Sequence, residues 1–444
     1  MCIADHLSKL MISCDGATSH TLFPPGYPLI LAVLRRLFGS YDLAFFATKV
    51  VAPTIVSALA LKTVTDFFPS IDPRLAAVSL FLLPIYVTSS FTIDASSEYA
   101  TGILIWCGIY AYYSFMASNR LSMLVLSNTC FCIAYLLRPE SIALLGVSFV
   151  IIFISCRKRF WLISRHALCF GVPFILLATP YIVFLRHTTG IWTISGKAAY
   201  NIDMVNAFYQ NSSYNRIAHS LFGMARLYAS PNAFNPLLWA GIVALIVRCR
   251  TGAGFEKGVE YTRLRKLILF AIPINVVLLY LFPLGRALLP YMPIYVILAL
   301  YGVSNIRWTG IRVAAVGSVC VVSILSVLLL PDANNRPFLY EKAATMVASK
   351  EGGNPIVIAT RDPKVSYYLP GAKVVPITEA MIAQSDMVIV SNLTHNSLNP
   401  DTGGSLERQI LRDNEIEDNA SFSICARTAA GDYFVKVFCR QPQQ

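Results

Sequence analysis

Apolar stretches of roughly 20 residues, separated by short basic or turn-forming segments, recur through the first 331 residues and leave few options for the fold. A bilayer's hydrocarbon layer is about 30 Å thick and a helix rises 1.5 Å per residue, so each stretch has the length of one crossing. By that ruler the chain holds about ten spans, near 41–64, 74–93, 98–117, 120–137, 139–156, 166–186, 233–247, 266–285, 287–305 and 312–331. Hydrophobic residues make up 56% of the chain and charged ones 14%, so its main solvent is lipid. The net charge of +12 is not gathered on a face or in a tail; basic residues recur in small clusters between apolar runs, which argues against nucleic acid as a partner.

Lys and Arg near span ends resist translocation, so their distribution orients the spans. One alternation puts Arg157, Lys158, Arg159 and Arg165 in one cytoplasmic loop, Arg248, Arg250, Lys257, Arg263, Arg265 and Lys266 in another, and Arg307 with Arg312 in a third. The outer face then receives the N-terminal segment, the turns Asp94 to Glu98 and Arg138 to Glu140, the long loop 187–232, the turn at Arg286, and everything after 331. Both ends fall outside, and an exported N-terminus with no apolar segment before it is unusual; residues 1–24 contain no signal-peptide core. Pro24 to Phe38 is too short to span comfortably, is apolar on one side and carries Arg35 and Arg36. It reads as an interfacial helix on the outer headgroups, opened by Pro24-Pro25.

Composition changes at Asp332: the last 113 residues hold 13 acidic and 11 basic side chains, so nearly all the positive charge lies upstream. The expected organisation is an outer N-terminal segment (1–40), a transmembrane domain (41–331) and a small extracytoplasmic α/β domain (332–444). In the last, a helix is expected at Tyr340 to Lys350, strands at Ile356 to Thr360 and Asp386 to Ser391, and a hairpin from Phe422 to Phe438 around Gly431-Asp432. No G-x-G-x-x-G or Walker sequence accompanies the strands, and Gly403-Gly404 lies in a turn-rich link. Most of the eleven cysteines, including Cys107, Cys130, Cys132, Cys156, Cys169 and Cys320, lie in apolar runs as small buried hydrophobes. Cys425 and Cys439 could pair, but a simple hairpin register does not set them opposite one another, which weighs against a bridge.

Ionisable groups near membrane depth are costly, and only eleven acids precede residue 332. Those on the expected outer face are Asp5, Asp15, Asp42, Asp94, Glu98, Glu140 and Asp203. Asp94 and Glu98 stand four apart where a span begins, on one face of a helix N-terminus; capping by Asp94 or Ser96 explains them equally well. Arg138-Pro139-Glu140 forms a second outer turn, read first as a helix break with a local ion pair. Lys197, between Gly196 and two alanines, can meet a phosphate or snorkel to headgroups, and Arg286 can grip a lipid phosphate or act as an interfacial anchor. His20, His187 and His219 show no metal-binding spacing, and no G-x-S-x-G elbow is present.

Four segments carry a resemblance. TLFPPGYPLILAVLRRLFG, TIDASSE, ATPYIVFLRHTTGIWTISGK and GRALLPYMPIYVILALYG are similar, in order and spacing, to segments of the polytopic GT-C glycosyltransferases, specifically the bacterial aminoarabinose-transferase and protein O-mannosyltransferase branch. The resemblance implies a mainly α, GT-C-like transmembrane bundle in a bacterial inner membrane, followed by the α/β domain. It further implies inverting transfer of a sugar from a polyprenyl-phosphate donor to a lipid, glycan or protein acceptor at the outer face. Asp94 and Glu98 are then expected to serve the acceptor or an assisting divalent cation (Mg or Mn, used by part of the superfamily). Lys197 and Arg286, with Arg138, Glu140 and Tyr291, are expected to bind substrate. Aromatic residues Tyr200, Phe208, Tyr209 and Tyr214 would shape the cleft or form a membrane belt. Family members have one more helix upstream, ending in a catalytic acid; MCIADHLSKLM resembles the segment just after it, which places helix and acid before Met1 and leaves Asp5 a poor substitute. An inactive relic or scaffold, and a transporter or lipid flippase, are the rival readings; the latter lacks support from any repeat at half length.

Overall fold

The computed structural model describes residues 24–39, 41–82, 96–156, 160–195, 216–229, 259–280, 285–304, 357–360, 373–375, 384–391, 421–430 and 433–441, with isolated positions at 241, 243, 310, 313, 314, 317, 318 and 321. The chain divides into two compact units, Met1–Leu328 and Leu329–Gln444.

The first unit is a helical bundle. Its described helices are α1 (Gly26–Phe38), α2 (Tyr41–Phe67), α3 (Pro73–Phe81), α4 (Ser96–Ser118), α5 (Leu121–Leu137), α6 (Ile142–Cys156), α7 (Phe160–Pro173), α8 (Thr179–Thr189), α9 (Arg216–Ala229), α10 (Val259–Tyr280) and α11 (Met292–Ser304). Among the described residues four runs are long and apolar enough to cross a membrane: Val50–Phe67, Ser97–Ser118, Ser164–Thr189 and Ala287–Ser304; Leu121–Leu137 and Pro139–Ile154 are shorter apolar helices. The expected spans at 233–247 and 312–331, and the second half of 74–93, fall outside the described residues except for isolated positions.

Helix α4 is the centre of the bundle, packed between α2 and α5 with Trp106, Ile109, Tyr112 and Tyr113 fully buried. Small residues set the closest approaches. A Cβ on Gly102 would lie 3.0 Å from Val56 of α2, and Gly241 and Gly302 meet backbone to backbone, the small-residue contact by which helices associate when lipid surrounds them.

The expected span at 166–186 hides an irregularity. Between α7 and α8, Phe174–Ala178 forms a π-helical turn with Pro173 on one side and Pro180 on the other. Proline lacks an N–H, so Pro173 leaves the Cys169 carbonyl four residues back without its helical donor, a costly defect in hydrocarbon. The buried Asn128 of α5 supplies the donor: its Nδ2 lies 3.2 Å from that carbonyl, while Ser148 of α6 donates to its Oδ1 at 3.3 Å. One amide side chain thereby joins three spans and repairs a proline break.

The C-terminal unit contains a five-stranded sheet of order β2-β1-β3-β5-β4, from β1 (Val357–Thr360), β2 (Lys373–Val375), β3 (Met387–Ser391), β4 (Phe422–Ala430) and β5 (Tyr433–Arg440). β2, β1 and β3 run parallel, β5 is antiparallel to β3, and β4 is antiparallel to β5 in the closing hairpin. Three residues of β2 were too short a run to read from the sequence, and the expected helix at Tyr340 to Lys350 lies outside the described residues. The cysteine expectation is corrected: Cys425 and Cys439 form a disulfide with Cα atoms 5.7 Å apart. The reason is a β-bulge. Ile424 pairs with Phe438 and Ala426 with Val437, leaving Cys425 as the extra residue, and the slip brings its side chain onto that of Cys439.

Replacing Asn128 by leucine is expected to lower stability in detergent by about 1 kcal/mol, because the Cys169 carbonyl loses its donor. Ser148→Ala should cost less. Thermal unfolding of the purified variants measures both.

Candidate functional site

Proline at 139 pushes the residue before it out of the helical region, so Arg138 is extended (φ −145°, ψ 114°) and ends α5 while its N–H still bonds Ala134. The chain then turns through a 3-10 segment, Pro139–Ser141, and this places Arg138 and Glu140 side by side. The guanidinium reaches further than the expected local pair. Its Nε and Nη2 engage Glu140, and its Nη1 donates to Oε1 of Glu98, 40 residues earlier on the first turn of α4. Ser97 donates to the other oxygen of Glu98 at 2.9 Å.

This triad is largely withdrawn from solvent: the side chain of Glu98 is 3% exposed, that of Arg138 18% and that of Glu140 19%. Burial works against the charge on Arg138, but the two carboxylates outweigh it and hold the guanidinium pKa above its ordinary value. Both oxygens of Glu98 are engaged, so it acts first as the second anchor of Arg138; Glu140 is the more exposed carboxylate.

Neighbouring elements close around the triad. Gly26 of α1 packs on the end of α5, where a Cβ would lie 2.6 Å from the Leu136 carbonyl oxygen, and this fixes the Pro-Pro-Gly-Tyr-Pro segment beside Arg138. A 3-10 segment, Gly285–Tyr291, is tied to α4 by Trp106, whose Nε1 donates to the Pro290 carbonyl at 3.0 Å. Tyr291 is buried, with its hydroxyl beside that of Ser141. The hydroxyl of Tyr135 donates at 2.7 Å to Ile194, which brings the segment preceding Lys197 to the same end of the bundle.

The opposite end of α4 makes different contacts. Tyr113 donates to the Arg263 carbonyl at 2.7 Å, Arg263 donates to the Phe67 carbonyl at 3.1 Å, and the Ser70 amide donates to Glu260 at 3.0 Å. Fifteen residues of helix between Glu98 and Tyr113 span about 22 Å. Thus the turns that the charge pattern assigned to opposite faces, Arg138 to Glu140 and the loop with Arg263, stand at opposite ends.

The structure therefore unites Glu98, Arg138 and Glu140, with Tyr291 nearby. Asp94 and Lys197 lie outside the described residues, and Arg286 is placed only by its backbone, in the 3-10 segment next to Ala287. Among the described residues no group of three His, Cys, Asp or Glu side chains is arranged to hold a metal ion. The guanidinium occupies the space between Glu98 and Glu140 that a divalent cation would need, so this pair does not fit one. Nothing local in the sequence links Glu98 with Arg138, 40 positions apart; the signal it does carry is that both stand at turns on the same expected face.

No family model and no curated protein matches the chain. Among solved structures, ArnT from Cupriavidus metallidurans bound to undecaprenyl phosphate is similar with a TM-score of 0.63 and 13% identity, over 98% of this chain and 92% of ArnT. The apo form of the same protein gives 0.61 and 14%, over 95% of this chain and 88% of ArnT. The chain therefore shares its fold with this ArnT over nearly its whole length.

Removing Arg138 strands two carboxylates away from water, so Arg138→Met is expected to cost about 3–5 kcal/mol or abolish accumulation in the membrane. Adding Glu98→Gln and Glu140→Gln should recover much of the loss. Thermal stability of the single and triple variants in detergent measures it; an unaltered single variant would mean that the triad contributes nothing to the fold.

Proposed function

We propose that this chain is a membrane glycosyltransferase that moves a sugar from a polyprenyl-phosphate donor to an acceptor hydroxyl on a lipid, glycan or protein. The observation that carries the reading is the likeness to ArnT, including the form bound to undecaprenyl phosphate, over almost the whole of both chains. It is supported by a buried charged cluster at one end of a bundle with an apolar body, where a donor anchored in the bilayer would present its phosphate.

The reaction is an inverting displacement. The acceptor oxygen attacks the anomeric carbon, the bond from that carbon to the phosphate oxygen breaks, the polyprenyl phosphate departs with the electron pair, and the acceptor proton passes to a carboxylate. Charge grows on the leaving phosphate, so cations placed there stabilise the transition state more than the ground state. Lys197 and Arg286 take that role in this reading. Asp94 is the base that takes the acceptor proton, because both oxygens of Glu98 are already engaged and Glu98 with Arg138 and Glu140 shapes the mouth. With Arg138 between them, Glu98 and Glu140 offer a divalent cation no seat. The charged end faces outward across a bacterial inner membrane, and the C-terminal unit is extracytoplasmic.

In membranes of cells expressing the chain, Lys197→Ala and Arg286→Ala should each reduce glycan transfer by about 100-fold or more while protein abundance is unchanged. Turnover equal to that of the unaltered chain in both variants would remove the phosphate assignment.

A further inference from the structure

A 26-residue apolar run, Ser164–Thr189, ends at Gly190, which caps α8 in the left-handed conformation (φ 76°). A chain leaving the bilayer is expected to turn polar there. This one continues Ile191-Trp192-Thr193-Ile194, with Ile191 55%, Trp192 70% and Ile194 48% exposed.

The turn is built rather than loose. Thr189 Oγ1 donates to the Ile191 carbonyl at 3.2 Å, Thr193 Oγ1 donates to the Ser195 carbonyl at 2.9 Å and accepts from the Ser195 amide at 3.2 Å, and Ser195 is buried. The Tyr135 hydroxyl pins Ile194 to α5 three residues before Arg138. The exposed Arg186 holds its guanidinium 5.9 Å from the Trp192 ring centroid, a cation–π contact that orients the indole. Large apolar side chains held outward by hydrogen bonds gain nothing in water; they gain where lipid meets headgroup.

Two observations set the depth. The turn follows a full-length crossing, and it is tied to the end of α5, where the chain becomes charged at Arg138. Helix α1 docks on the same end through Gly26 and likewise exposes an apolar row, Leu29, Val33 and Leu37, with Arg35 and Arg36 in its last turn. Tryptophan with arginine is the pairing that suits the boundary between acyl chains and phosphates.

We propose that the turn 190–195 is a membrane anchor, in which Ile191, Trp192 and Ile194 insert at the headgroup–acyl boundary of the adjacent leaflet and Arg186 meets lipid phosphate. Anchoring would hold the segment leading to Lys197 at a fixed height above the triad, whatever reaction the triad serves. It rests on the membrane fold and not on the transferase reading.

The test uses the full chain reconstituted in phosphatidylcholine vesicles, with Trp192→Phe as the subtraction that isolates the Trp192 emission from that of the other four tryptophans. Lipids brominated near the headgroup end of their acyl chains should quench the Trp192 share more strongly than lipids brominated near the chain ends, and aqueous iodide should quench it least. Dominant quenching by iodide would place the turn in water, and dominant quenching by the deep bromines would place it within the hydrocarbon; either overturns the proposal. A second variant, Arg186→Gln, should weaken shallow quenching and raise quenching by iodide without loss of the folded protein. Unchanged quenching there would remove the role given to Arg186.

Discussion

A polar group inside a bilayer has no water to fall back on, so each must find its partner within the protein. That constraint explains the bundle's least regular features together. Pro173 breaks the backbone ladder of a span, and Asn128 answers the orphaned Cys169 carbonyl from a neighbouring helix. Trp106, midway along α4, and Tyr113, nearer its C-terminal end, are both buried and each donate to a backbone carbonyl on a distant segment, Pro290 and Arg263. Glu98, Arg138 and Glu140 are the ionic version of the same rule: none of the three could remain at that depth alone. The bonds that make these groups tolerable also cross between helices, so satisfying them fixes how the helices pack.

The same economy separates the two ends of the bundle. At one end lie the triad, the docked Gly26, the 3-10 segment before α11 and the pinned turn at Ile194; at the other lie Arg263, Glu260 and the backbone of Phe67 and Ser70. A membrane-bound donor has its reactive phosphate at the boundary and its chain in lipid, so an enzyme acting on it needs charge at the rim of an apolar body. The first end has that form. The exposed apolar row on α1 and the exposed tip at Trp192 stand at this same end.

The sequence shows the bundle because its controlling variable is length: about 20 apolar residues mean a crossing whatever their identities. It shows the hairpin of the C-terminal unit because alternation and Gly431-Asp432 are local signals. It does not show what depends on register or on distant pairing. A single bulged residue moves Cys425 from unpaired to bridged with Cys439. A π-helical turn hides inside the run 166–186, since adding a residue to a turn leaves hydropathy unchanged. At the site, Glu98 is legible as an acid where a span begins and Arg138 with Glu140 as a local pair at a turn, while Tyr291 enters only through the resemblance. That Arg138 binds both acids, and so changes Glu98 from a free base into a structural partner, follows from α4 and α5 standing side by side, which no short window of sequence contains.

The proposed reaction requires one face of the membrane to hold both the triad and the segment that carries Lys197, with the basic loop at Arg157 to Arg159 on the other. Cysteine accessibility decides this most directly. In a background whose native cysteines, other than Cys425 and Cys439, are replaced by alanine, Lys197→Cys in intact cells should react with a membrane-impermeant maleimide. Lys158→Cys should react only after the membrane is opened. Labelling of both from the same side would place the proposed phosphate ligand apart from the outer mouth and contradict the assignment of the reaction to that end of the bundle.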